Sequence, residues 1–103
     1  MKNYYEIKER ITAAWDNNLT ERAKDIGDGD DKTYINVIVP HVINLLNNHF
    51  TSSIDVLDIG CGCGYLTNIL SKNHPNITGI DISKISIEYA QKNRTGKVNY
   101  EQP

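Results

Sequence analysis

The stretch Ile54-Asp55-Val56-Leu57-Asp58-Ile59-Gly60-Cys61-Gly62-Cys63-Gly64-Tyr65-Leu66 constrains the fold more than any other part of the chain. An apolar run rich in Ile, Val and Leu stops at a turn studded with glycine, and apolar residues then recur at Leu66, Ile69 and Leu70 with helical spacing. The pattern predicts strand, tight loop, helix. The glycines let the backbone turn sharply and let a ligand lie against it with no Cβ in the way, while the first free amides of the next helix point toward that ligand. The stretch is therefore expected to build a cofactor site.

The spacing narrows the cofactor. A dinucleotide fingerprint runs G-x-G-x-x-G, whereas here the glycines stand at Gly60, Gly62 and Gly64, with Tyr65 where the third glycine belongs. Asp58, two residues ahead of the first glycine, sits at the C-terminal end of the strand. A pyrophosphate is repelled by such a carboxylate, and a ligand carrying an ammonium group is attracted. A nicotinamide or flavin dinucleotide is accordingly the weaker alternative.

The residues resemble a known family at this point. Val56 to Gly64 is similar to the first motif of the Rossmann-like class I S-adenosylmethionine-dependent methyltransferases, and Gly79-Ile80-Asp81-Ile82-Ser83 to their second, in the expected order and at the expected distance. The resemblance implies that S-adenosylmethionine is the cofactor and S-adenosylhomocysteine the product. It implies that Asp58 holds the methionyl amino group directly or through water, and that the backbone of Gly60, Cys61 and Gly62 passes beside the methionine moiety. Asp81 is then expected to accept hydrogen bonds from the ribose hydroxyls, and Ile82 to pack on the adenine. The residues agree independently about Asp81, because a carboxylate at the tip of a second strand, about 20 residues past the first glycine, grips a ribose diol. Arg22 and Tyr34 are further candidates for contacts to the methionine carboxylate or the substrate, although a surface ion pair and a core edge are the plainer accounts of them. No residue suggests itself as catalytic.

Elsewhere the chain reads as helices feeding this unit. Tyr4 to Asn18 carries Ile7, Ile11, Ala14 and Trp15 at three- and four-residue spacing, an amphipathic helix whose stripe is expected to pack on the sheet or cover the cofactor. Asp25 to Asp31 is an acidic, glycine-bearing stretch. Read as a calcium loop it fails, since the position that requires a bidentate Glu is Val39, and a solvated turn that caps the next helix is expected. From Lys32 to Asn48 a broad apolar face is interrupted by Pro40, so that either one helix is kinked there, the favoured reading, or a new helix starts with Pro40 in its first turn. A helix from about Tyr65 to Lys72, a strand over 76–81, a helix from Lys84 to about Asn93 capped by Ser83, and a strand beginning at Val98 complete the pattern. His41, His49 and His74 are scattered and read as surface or helix-end residues. Cys61 and Cys63 read as small loop residues, since they stand too close together for an ordinary disulfide and lack further metal ligands.

The expected class is α/β, a Rossmann-like three-layer α/β/α arrangement: residues 1–50 as a helical cap and packing segment, and residues 51–103 as the N-terminal half of a cofactor-binding domain. The resemblance implies a sheet of about seven strands in the order 3-2-1-4-5-7-6, of which strands 1, 2 and the start of 3 are encoded. On that expectation the chain alone is inactive toward its unidentified methyl acceptor. Its 54–59 strand, lacking a neighbour, is expected to pair with the remainder of the sheet or with a second copy. A remnant that persists as an oligomeric or interaction module is the non-enzymatic alternative. With 11 basic and 13 acidic residues and a net charge of -2, nothing recruits a polyanion, so nucleic-acid binding by this segment is not expected. Neither a membrane span nor an apolar leader is visible, and the cytoplasm is the expected location.

Overall fold

The computed structural model of the chain describes residues 3–27 and 31–103. It opens with helix α1, Tyr4–Gly27, whose first turn is capped by Asn3 accepting from the Glu6 backbone N–H at 2.9 Å. The helix runs through Asp25-Ile26-Gly27, so the first part of the expected acidic turn is helical, and residues 28–30 of that turn lie outside the described residues. Asp31 does what the sequence suggested, its carboxylate accepting from the backbone N–H of Tyr34 at 3.0 Å at the start of the next helix.

That helix is continuous across Pro40, but its hydrogen-bond ladder widens just before the proline. Residues Tyr34–Ile38 form a π-helical turn in which the Val39 N–H reaches back to the Tyr34 carbonyl, and α2 then runs Val39–His49 with Pro40 in its first turn. Proline lacks the N–H that a regular helix needs there, and a one-residue expansion absorbs the gap. The expected interruption is thus present as a wide turn.

Three parallel strands follow: β1 Val56–Ile59, β2 Ile77–Ile80 and β3 Asn99–Glu101, in the order β1-β2-β3 with Val56 opposite Ile77 and Gly79 opposite Tyr100. The crossovers are α3, Tyr65–Leu70, and α4, Lys84–Asn93. Ile87 and Ala90 of α4 pack with Tyr100 of β3 in one buried cluster, as the helical spacing required. Leu19 and Ala23 of α1 pack with Cys63 in another, bordered by Tyr34, Tyr65 and Tyr89.

Two expectations need correction. The stripe that seats α1 is Leu19 and Ala23, near its C-terminal end, whereas Ile7 and Ile11 each remain 46 % exposed and Trp15 58 %. The helix is longer than its N-terminal apolar spacing suggested, and its final turns make the contact. His74 is not a surface residue. It is 1 % exposed, with Nε2 at 3.1 Å from the Asn47 amide oxygen and Nδ1 without a partner, because the turn after α3 folds beneath the end of α2. Among the described residues, no helix is long and apolar enough to cross a membrane.

Candidate cofactor site

The turn between β1 and α3 is built from left-handed backbone. Gly60, Gly62 and Gly64 have φ of 77°, 56° and 81°, values that side-chain-bearing residues adopt at a penalty. The Gly60 and Cys61 N–H groups both donate to the Ile80 carbonyl, at 2.8 and 3.0 Å, so the turn is stitched to the end of β2. The Gly64 N–H closes it on the Cys61 carbonyl at 3.0 Å, and the Gly64 carbonyl accepts from Asn68 in the first turn of α3. A Cβ at Gly62 meets nothing within 4 Å, whereas one at Gly64 falls 2.8 Å from the Tyr100 hydroxyl and 3.0 Å from the Ala90 methyl. One glycine faces open space and the other faces the core.

Asp81 joins this turn to the tip of β2. Its carboxylate accepts from the Gly62 N–H at 2.9 Å and, through the other oxygen, from the Ser83 N–H at 2.8 Å. Each oxygen keeps a further lone-pair direction, so two hydroxyls can still be received. Ser83 caps α4 as its position suggested, its hydroxyl accepting from the Ser86 N–H at 3.1 Å. The same hydroxyl donates to the Asp16 carboxylate, which ties α1 across the end of the sheet.

Between these elements lies a cavity of about 550 Å³, within the range that takes small molecules. Its floor is Gly60, Cys61, Gly62, Asp81 and Ile82, and its wall is Trp15, Leu19 and Arg22 of α1 with Tyr34. The Arg22 guanidinium stands 5.0 Å from the centre of the Tyr34 ring and pairs with the Asp31 carboxylate. The Tyr34 backbone N–H, and after it Arg22, hold Asp31 below the ordinary carboxylate range. Burial pushes the Tyr34 hydroxyl and the Cys61 thiol each up to about 12, so both are neutral at physiological pH. The charged residues lining the cavity are then Asp81 and Arg22, one of each sign.

Asp58 stands apart from the other sequence-derived candidates. Its carboxylate accepts from the Thr67 hydroxyl at 2.7 Å and lines a separate apolar groove beside Leu45, Leu66 and Leu70. Burial raises its pKa above the ordinary value; the Thr67 hydrogen bond opposes the rise and the charge of Asp81 adds to it. The structure thus gathers Gly60, Cys61, Gly62, Asp81, Ile82, Arg22 and Tyr34 around one space and leaves Asp58 on another. Sequence reasoning missed Thr67, fully buried at the inward face of α3, whose signal was a hydroxyl residue set between apolar Leu66 and Leu70. It also favoured packing for Trp15, which the structure leaves largely exposed at the cavity wall.

Known proteins resemble this chain in sequence and in fold. A family profile described as a methyltransferase domain matches residues 50–101. The chain belongs to that family. Malonyl-[acyl-carrier protein] O-methyltransferase of Priestia megaterium is 47 % identical over 57 residues, covering 52 % of this chain and 21 % of the relative. Ubiquinone biosynthesis O-methyltransferase of Rickettsia bellii is 33 % identical over 106 residues, covering 96 % of this chain and 41 % of the relative. Among solved structures, a DhpI–SAH complex superposes with a TM-score of 0.72 at 22 % identity, over 98 % of this chain and 47 % of that one. A SAM-dependent methyltransferase from Anabaena variabilis gives 0.68 at 20 % identity, over 94 % and 39 %. The chain spans less than half the length of each of these relatives.

Proposed function

We propose that the cavity binds S-adenosylmethionine and that the chain is the cofactor-binding N-terminal portion of a methyltransferase of class I. The observation that carries this reading is the joint placement of Asp81 and Gly62. A carboxylate with free acceptor capacity is held by the N–H of a glycine that lines the same cavity and has open space where a Cβ would stand. Asp81 receives the ribose hydroxyls, Ile82 packs against the adenine, and the side-chain-free face of the turn admits the methionine portion. Arg22, at the wall, is suited to the methionine carboxylate, while Asp58, on the far side of β1, acts on the ammonium group through water or through its field. The cofactor supplies a methyl group already activated by the sulfonium charge. The contribution of this chain is to hold the donor in place, so that an acceptor lone pair forms the new bond as the bond to sulfur breaks.

Residues 1–50 serve in this reading as the cap and packing segment of the half-domain 51–103, and the protein works in the cytoplasm. Among the described residues strand β1 ends the sheet, paired only with β2, and its free backbone edge supports pairing with further strands or with a second copy. A calorimetric titration with S-adenosylhomocysteine, beside NAD and beside an Asp81→Asn variant, tests the reading. Binding of the first ligand alone, lost in the variant, is expected. Equal binding of NAD, or an unaffected variant, overturns it.

A further inference from the structure

We propose that Arg94 is a positioning residue of the glycine turn, holding it from behind in the form that leaves the cavity open. Arg94 does not line the cavity. Helix α4 stops at Asn93, and Arg94 takes an extended backbone with φ of -98° and ψ of 136°, which sends its side chain back toward the turn. There Nε donates to the Cys63 carbonyl at 2.9 Å, and an Nη lies 3.5 Å from the Cys63 sulfur. The guanidinium also lies 5.8 Å from the centre of the Tyr65 ring and 5.7 Å from that of Tyr89. Two aromatic rings therefore restrict the fork that grips the carbonyl. Among the described residues no carboxylate is within ion-pair distance of Arg94, so its charge serves this carbonyl and these rings.

The carbonyl it grips precedes Gly64, one of the three left-handed residues of the turn. Cys63 stands between Gly62 and Gly64, and a residue flanked by two glycines is the place where such a turn is most easily lost to other conformers. The turn is thus held on its two sides: Asp81 takes the Gly62 N–H from the cavity side, and Arg94 takes the Cys63 carbonyl from the side of α4. Cys63 itself packs with Leu19 and Ala23, so the same grip fixes where α1 meets the cavity.

The test uses amide hydrogen exchange of the unliganded chain. The Gly62 and Gly64 N–H groups, bonded to Asp81 and to the Cys61 carbonyl, report the turn, and the Val56 N–H, bonded to the Asn76 carbonyl, reports the sheet. Arg94→Gln is expected to speed exchange at Gly62 and Gly64 on the order of tenfold while leaving Val56 unchanged, since one charge-assisted hydrogen bond is lost. Arg94→Lys, which keeps the charge but not the planar fork, is expected to fall between, and it carries the comparison alone if Arg94→Gln does not fold. Unchanged exchange at the two glycines, or an equal change at Val56, overturns the proposal. The link to the cofactor rests on the function proposed above and is read separately: affinity for S-adenosylhomocysteine falls in step with the loosened turn. A loosened turn with unaltered affinity overturns that link. A wild-type chain that does not bind S-adenosylhomocysteine refutes the cofactor reading, while the exchange result still decides the role of Arg94.

Discussion

Alanine at Gly64 and alanine at Gly62 should have very different consequences, although both replace a glycine of positive φ in the same turn. At Gly62, with φ of 56° and open space around the added methyl, only the left-handed backbone is penalised, about 1–2 kcal/mol. At Gly64, with φ of 81°, the methyl falls 2.8 Å from the Tyr100 hydroxyl and 3.0 Å from the Ala90 methyl. Neither neighbour can step aside, because Tyr100 is 5 % exposed, Ala90 is fully buried, and both belong to the cluster around Ile87. Overpacking of that kind adds about 1–3 kcal/mol to the backbone penalty, a sum of about 2–5 kcal/mol against the 5–15 kcal/mol that holds an ordinary domain together. Urea unfolding followed by far-UV circular dichroism, with the slope checked for constancy, measures both. Gly62→Ala is expected to remain folded and to lose affinity for S-adenosylhomocysteine, since Gly62 lines the cavity and the methyl adds bulk there. If Gly64→Ala is no more destabilising than Gly62→Ala, the packing argument for the turn is wrong.

Thr67→Val removes the hydroxyl that holds the raised pKa of Asp58 in check, so the Asp58 carboxyl should titrate higher still, measurable by carboxyl carbon chemical shifts. A carboxyl raised above its ordinary 3.8 in the folded state contributes stability that is full below 3.8 and is lost as pH rises through the folded value. The deficit of the variant in urea unfolding should therefore be larger at pH 7 than at pH 4, and a deficit independent of pH contradicts the assignment. Ser83→Ala removes both the cap on the Ser86 N–H and the donor to Asp16, a loss of about 1 kcal/mol for the cap alone. Asp16→Asn keeps the cap, and should loosen α1, seen as faster exchange of its amides, with little change in α4.

Much of the fold could be read from residues that act locally. The strand, glycine turn and helix around Gly60, the second strand ending at Asp81, and the Ser83 cap each follow from neighbours within a few positions, where spacing and backbone preference agree. The candidate site was legible as far as those motifs reach. What escaped was decided over long separations. Burial of His74 depends on Asn47, which is 27 residues away, and the grip of Arg94 on Cys63 spans 31. The inward face of α1 was misjudged because Ile7, Ile11 and Trp15 have helical spacing, but only Leu19 and Ala23 come opposite Cys63. Asp58 was read from its place at the end of the strand and from the resemblance of its motif; what neither foretold is its hydroxyl partner Thr67, or that it lines a groove other than the cavity that Gly60 and Gly62 line.

The most direct test of the cofactor reading is a titration of the isotopically labelled chain with S-adenosylhomocysteine, following the backbone amides of Gly60, Gly62, Asp81 and Ile82. Saturable shifts confined to these residues and to the α1 wall at Trp15 and Arg22, absent with NAD, are the predicted result. A folded chain whose amides do not move with S-adenosylhomocysteine, or move in the same way with NAD, contradicts it.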